Sequence, residues 1–157
     1  LDTPSGLNYV SVRSAQDMFE ACQDNFQQDA VIMAAAVADY TPAQVSAIKL
    51  KKKEGDLSIE LKRTTDILKW MGEHKEGQKL VGFALETNDE VENAKGKLVR
   101  KNLDMIVLNS LNDKGAGFKG DTNKITILDA NNNSEEFELK SKAEVAKDIL
   151  NKLEELL

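Results

Sequence analysis

One cysteine and one histidine, Cys22 and His74, are all that the 157 residues contain. Counting alone therefore excludes disulfide frameworks, thiolate metal clusters and paired-histidine sites. Apolar residues are broken up by charges throughout, and no run approaches the roughly 18 residues that a membrane span needs. The first residues also carry no signal-peptide pattern, so a soluble, cytoplasmic protein without a membrane partner is expected. Positive charge is not in excess either. The 21 basic and 27 acidic residues leave a net charge of −6, which argues against a nucleic-acid partner. Any catalysis has to run on Lys, Asp, Asn and backbone groups.

What is present is enough hydrophobic material, 41% of the chain, for one sizeable core, and one globular domain over residues 1–157 is expected. The chain opens on a Pro- and Gly-containing stretch with nothing before it to pair with, which reads as an amino-terminally incomplete domain. Residues 8–12 alternate like a short strand through Tyr9, Val10 and Val12. Ser14 is placed to cap a helix that carries Met18, Phe19 and Cys22 inward. Residues 29–37 (DAVIMAAAV) form a near-continuous apolar run, as a central parallel strand covered on both faces would. Residues 38–53 turn irregular, with Tyr40, Pro42 and a lysine cluster at Lys49, Lys51, Lys52 and Lys53, and read as a long flap.

Leu57, Ile59 and Leu61 alternate with polar residues as in a strand with one wet face. A helix is predicted from Thr65, with Ile67, Leu68 and Met71 as its apolar stripe. Residues 79–85 (KLVGFAL) and 104–109 (DMIVLN) read as buried strands separated by a polar helix near residues 89–101. Residues 124–128 and 136–139 flank an Asn-rich turn as a closing antiparallel hairpin, and residues 142–157 form an amphipathic terminal helix. Strands alternating with helices predict an α/β class, a three-layer Rossmann-like fold with a mostly parallel sheet, and ligands at the carboxyl ends of its strands.

Two phosphate signatures fail on context. Gly115, Gly117 and Gly120 satisfy G-x-G-x-x-G but precede a strand instead of opening a helix, and residues 72–79 (GEHKEGQK) put Gln78 where a Walker lysine must stand. Asp39, at the end of the 29–37 run, is placed either to hold a ligand or to cap a turn. The flap lysines suit a phosphate or a solvated face. Lys97 and Lys101 share a helix face, which serves binding or solubility. Met33, Ala34 and Ala35 offer small side chains at a strand end, and Phe83 is either core or a base-stacking platform.

In order along the chain, AAVADY (residues 35–40), KLKK (49–52), TTDIL (64–68), GFALET (82–87), KLVRKNLD (97–104) and the stretch 117–123 resemble the bacterial phosphopantothenoylcysteine synthetase family. The likeness implies a ligase that joins 4′-phosphopantothenate to L-cysteine through an acyl-cytidylate, using CTP and Mg²⁺, in coenzyme A biosynthesis. It implies a homodimer, in bacteria often fused behind a flavin-dependent decarboxylase, with FMN present only in that case. Carried over by residue, it assigns CTP to Met33, Ala34, Ala35, Asp39, Lys49, Thr65, Asp66, Ile67, Leu68, Phe83, Lys97 and Lys101, with Lys49 acting in catalysis. Metal ligands are left unassigned. The family's amino-terminal glycine-rich segment, which carries an asparagine, has no counterpart in these residues. Two other classes stay open, a dinucleotide-binding oxidoreductase and a non-catalytic nucleotide-binding or dimerisation module. Nucleotide titration separates the three.

Overall fold

The molecule is represented by a computed structural model that describes residues 5–51, 54–110 and 120–157, with nothing described for the side chain of Ser110. In chain order its elements are α1 (Ala15–Asp24), β1 (Ala30–Met33), β2 (Tyr40–Pro42), β3 (Leu61–Arg63), α2 (Ile67–His74), β4 (Lys79–Glu86), α3 (Glu90–Arg100), β5 (Met105–Ser110), β6 (Thr122–Asn123), β7 (Ile125–Asp129), β8 (Ser134–Glu136), β9 (Lys140–Ser141) and α4 (Lys142–Glu154). They fall into two compact units, one of residues 1–25 and 36–66, the other of residues 26–35 and 67–157. Of the residues singled out in the sequence, Lys52, Lys53, Gly115 and Gly117 lie outside the described ones.

The larger unit is built on a five-stranded sheet in the order β1-β4-β5-β7-β8. β1, β4 and β5 run parallel, and β7 and β8 close the sheet antiparallel. Strand alternation sends Val81, Met105, Val107, Ile125 and Ile127 to one face, where Val145, Ile149 and Leu153 of α4 cover them. The α4 residues recur at four-residue steps, so they share one side of the helix. Gly82 lies on the opposite face, close under Leu68 of α2 and Leu103. Helix, sheet and helices are thus the three layers expected, and each apolar side chain buried between them stabilises by about 1.5–3 kcal/mol.

Both long-range and local chemistry fix the helix ends. α4 starts in a capping box in which Ser141 Oγ accepts from the Glu144 backbone and the Glu144 carboxylate accepts from Ser141 N–H. α1, in the smaller unit, starts the same way on Ser14 and Asp17. α3 ends in a Schellman motif, with Asn102 N–H donating to Val99 O at 3.1 Å and Leu103 N–H to Leu98 O at 2.9 Å. Asn102 supplies the left-handed residue at φ 51°. Its Nδ2 donates to Gly72 O at 2.8 Å, tying the end of α3 to α2.

Several expectations need correcting. Residues 8–12 form no strand; Tyr9 and Val10 are exposed, and alternation alone supplies no partner. β1 covers only Ala30–Met33 and is the edge strand of the described sheet instead of a central one, paired with β4 alone. In the smaller unit the strand expected through Leu57 and Ile59 shrinks to Leu61–Arg63, which pairs antiparallel with β2, and part of the flap is therefore strand. The return strand of the hairpin is Ser134–Glu136, earlier than residues 136–139, because Asp129 Oδ1 accepts from both Asn131 and Asn133 N–H at 2.9 Å and closes the turn tightly. α2 starts at Ile67 instead of Thr65.

A methyl group on Gly72 would meet the Lys101 carbonyl oxygen at 1.8 Å. Gly72→Ala should therefore cost about 3 kcal/mol, and Asn102→Ala about 1–3 kcal/mol, in urea unfolding of the chain. Wild-type stability of Gly72→Ala would refute this contact.

Burial pushes the Asp129 carboxyl up, but the hydrogen bonds from Asn133 and Asn131 and the charge of Lys152 hold it below its ordinary value overall. The hydrogen bonds from Ser141 likewise lower Glu144. A carboxyl lowered by folding adds stability above its unfolded value, and that contribution is lost as pH falls through the folded one. The thermal midpoint should accordingly fall on acidification through the carboxylate range. Asp129→Asn should flatten part of that slope, and an unchanged slope would count against the assignment.

Candidate functional site

At the carboxyl edge of the parallel strands, Met33 ends β1 opposite Gly82 of β4, and Phe83 lies opposite Val107 of β5. Met33 and Phe83 are partly buried, while Ala34 and Ala35 follow β1 as exposed residues. Lys97, on α3, is partly buried and donates from Nζ to the Phe83 carbonyl at 2.6 Å. One turn on, Lys101 is the C-cap of the same helix, and its backbone N–H donates to Lys97 O at 3.0 Å. The larger unit therefore brings Met33, Phe83 and Lys97 to neighbouring positions on β1, β4 and α3, and leaves Lys101 a turn further along α3, toward Asp104 and the start of β5.

Ile67 and Leu68 open α2 with side chains 3% and 8% exposed. Those side chains are core, so only the N–H groups of a helix start remain for a ligand. Burial pushes the Cys22 thiol up, which disfavours a thiolate nucleophile.

In the smaller unit, Asp39 O accepts from Thr64 N–H at 2.9 Å, and Thr64 Oγ1 donates to Ala38 O at 2.5 Å. The β2–β3 ribbon, with Tyr40 opposite Arg63, thereby holds Asp39 beside the residues leading to Thr65 and Asp66. All three side chains are exposed. Lys49 is also exposed, in a stretch beyond β2 that has no regular element. Asp39, Lys49, Thr65 and Asp66 belong to this unit, and Met33, Ala34, Ala35, Ile67, Leu68, Phe83, Lys97 and Lys101 to the other.

The near-Walker stretch has a structural explanation. Gly72 lies inside α2, and Gln78, 8% exposed, accepts on Oε1 from Glu76 N–H at 2.8 Å and Gly77 N–H at 3.2 Å, shaping the turn into β4. Sequence reasoning missed a pair of carboxamides at the carboxyl edge of β5, where Asn123 Nδ2 donates to Asn109 Oδ1 at 2.7 Å. The available signal was two asparagines at strand ends, which read locally as turn residues.

Parallel β1, β4 and β5 between helical layers, with Lys97 reaching β4 and a pair of carboxamides at the carboxyl edge of β5, define a Rossmann-like α/β domain of the kind that binds ligands at that edge. Over residues 1–157 the sequence matches the family described as DFP, the DNA/pantothenate metabolism flavoprotein C-terminal domain, and the chain belongs to that family. It is 47% identical, over 98% of its length, to the Coenzyme A biosynthesis bifunctional protein CoaBC of Bacillus subtilis (strain 168), and spans 38% of that protein. It is 54% identical, over 94% of its length, to a protein of an unknown prokaryotic organism named Cysteine/Cysteine sulfinic acid decarboxylase, of which it spans 42%. The chain thus covers about four-tenths of these relatives. The crystal structure of the C-terminal domain of a CoaBC protein superposes with a TM-score of 0.81 at 41% identity, covering 99% of this chain and 69% of that one.

A Cβ on Gly82 would sit 2.8 Å from both Leu68 Cδ2 and Leu103 Cδ1. Gly82→Ala should cost about 1–3 kcal/mol in urea unfolding and shift the amide resonances of Ile67 and Leu68. Unmoved amides would show that β4 does not seat the first turn of α2.

Proposed function

We propose that the chain is the ligase domain that condenses 4′-phosphopantothenate with L-cysteine, in the cytoplasm and as a homodimer, with CTP as the activating nucleotide. The observation that carries this reading is the 41% identity to the CoaBC C-terminal domain across nearly the whole chain. Lys97, which reaches the Phe83 carbonyl from α3, supports it.

A carboxylate resists attack by an amine because oxide is a poor leaving group. In the proposed reaction the phosphopantothenate carboxylate attacks the α-phosphorus of CTP and pyrophosphate leaves, forming the acyl-cytidylate. The cysteine amine then attacks the acyl carbon, CMP leaves, and the amide remains after loss of a proton. Neither step requires a protein thiol or imidazole, which suits a chain with one of each.

Charge on the phosphates calls for fixed cations, and each charged hydrogen bond contributes about 1.5–3 kcal/mol. Lys49, Lys97 and Lys101 are assigned that role. Asp39, Thr65 and Asp66, the backbone around Met33, Ala34, Ala35, Ile67 and Leu68, and the ring of Phe83 are assigned to the nucleotide. Among the described residues no three His, Cys, Asp or Glu side chains lie together as a metal cage. Mg²⁺ would therefore be held chiefly by triphosphate oxygens and water, where it neutralises phosphate charge. FMN enters only if the protein also carries a decarboxylase domain. Among the described residues no helix is long and apolar enough to cross a membrane.

Lys49→Gln should lower kcat about 10²- to 10³-fold with a smaller effect on CTP binding, the range for losing one transition-state donor. The assay follows acyl-cytidylate formation from labelled CTP without cysteine. A wild-type rate of that half-reaction would remove Lys49 from activation. A second reading, decarboxylation of cysteine or cysteine sulfinate, is favoured by the name of the 54% identical relative. Nucleotide-independent release of CO₂ from either compound, with no amide formed, would replace the ligase reading.

A further inference from the structure

α2 ends at His74 shortly before β4 opens at Lys79, and α3 ends at Arg100 shortly before β5 opens at Met105. Both helices therefore run back from the carboxyl edge and finish side by side at the amino edge. Gly72 O is among the last four carbonyls of α2, which have no partner within the helix. Asn102 Nδ2 donates to it at 2.8 Å. Gly72 has no side chain to hold the helices apart, and a Cβ there would collide with the Lys101 carbonyl.

Helices are stiff, so a junction at one end sets the level of the residues along both. Ile67 precedes Gly72 by the same interval of sequence as Lys97 precedes Asn102, which puts the first turn of α2 and Lys97 at one level, about 7–8 Å from the junction. Packing of Leu68 over Gly82 sets the height of α2 above β4. A hydrogen bond is directional as well as short, and the one from Asn102 opposes sliding of α2 along its own axis.

We infer that Asn102 is a positioning residue of the reaction: its bond to Gly72 O fixes α2 lengthwise against α3, and with it the spacing between the first-turn N–H groups of α2 and the Lys97 ammonium. This rests on the ligase reading, in which both groups are assigned to CTP. A misplacement of about 1 Å between groups that hold one substrate costs up to about 10²-fold in rate.

Two properties of Asn102 can be separated by substitution. Its backbone is left-handed at φ 51°, a conformation that glycine adopts readily, so Asn102→Gly removes the amide and keeps the helix end. Asn102→Asp keeps the shape and the tolerance of a left-handed backbone but turns a carboxylate, which can only accept, toward Gly72 O. In the protein expressed from its complete gene, Asn102→Gly should raise the KM for CTP about 10-fold and Asn102→Asp should raise it further, while the KM for L-cysteine stays at the wild-type value. A purely structural role would lower stability without that selectivity. Ile149→Val, which loosens the core under α4, supplies the comparison: it should lower the melting midpoint and leave the KM for CTP unchanged.

A wild-type KM for CTP in Asn102→Gly overturns the inference and leaves the ligase intact. An equal rise for CTP and L-cysteine, or the same rise for CTP in Ile149→Val, assigns the effect to stability and overturns it too. If Asn102→Asp fails to fold, Asn102→Gly decides. Failure of both to fold would assign the amide to the fold alone, and the inference falls. A wild-type protein that forms no acyl-cytidylate from CTP takes down the ligase reading and this inference with it.

Discussion

The sheet of the larger unit depends on one partly buried carboxylate. Asp104 Oδ2 accepts from Lys75 Nζ at 2.7 Å and from Leu80 N–H at 2.8 Å. Its backbone N–H donates to Leu80 O at 3.0 Å, and its backbone carbonyl accepts from Ala130 N–H at 3.0 Å. One residue thereby joins the exit from α2, the start of β4, the start of β5 and the end of β7. The ion pair is 16% and 19% exposed on its two sides, so it is screened less than a surface pair and is held in place by the backbone bonds around it. Parallel strands with side chains of period two cannot slip by one residue without turning their core face outward. The clamp at the amino edge therefore determines what stands at the carboxyl edge, where Leu85 faces Asn109 and Phe83 faces Val107.

The parts of the fold that were legible in the sequence are those whose local pattern and tertiary environment agree. β4 reads as a buried strand and is one, and α4 reads as an amphipathic helix because Val145, Ile149 and Leu153 recur on one side. Where the reading failed, the pattern was real but the environment was not encoded locally. Tyr9 and Val10 alternate as a strand would, and so do Leu57 and Ile59, yet a strand exists only where another backbone pairs with it. The run 29–37 is apolar whether it sits at the centre or the edge of a sheet, and only the strand order distinguishes the two. The turn after Asp129 came out tighter than expected because three hydrogen bonds converge on a single carboxylate.

The candidate site divides in the same way. Lysines and Phe83 were recognisable through a resemblance spread over ordered motifs, and two lysines on one helix face are visible in the letters. The carboxamide pair was not, because its meaning lies in a contact between residues 14 positions apart. Asn102 was hidden for the opposite reason. It was noticed only as part of a motif, while its left-handed backbone and its bond to Gly72 O connect two helices. Gly72, singled out as part of a failed phosphate loop, turns out to be the residue whose missing side chain lets the Lys101 carbonyl approach.

These two kinds of polar group suit different tasks at one sheet edge. A lysine brings full charge on a long stem, which attracts phosphate from a distance but leaves its angle to the acceptor loosely defined. A carboxamide brings no net charge, and a short side chain held by a second amide has its donor direction set before any ligand arrives. Lys97 donates from its ammonium to the Phe83 carbonyl at 2.6 Å, and a charged acceptor would make the stronger hydrogen bond with it. The direction of the Asn109–Asn123 contact is set by the main chain at Lys124. Gly72 and Asn102 tie α2 to α3, and Asp104 ties β4 to β5, so both polar groups stand on one fixed scaffold.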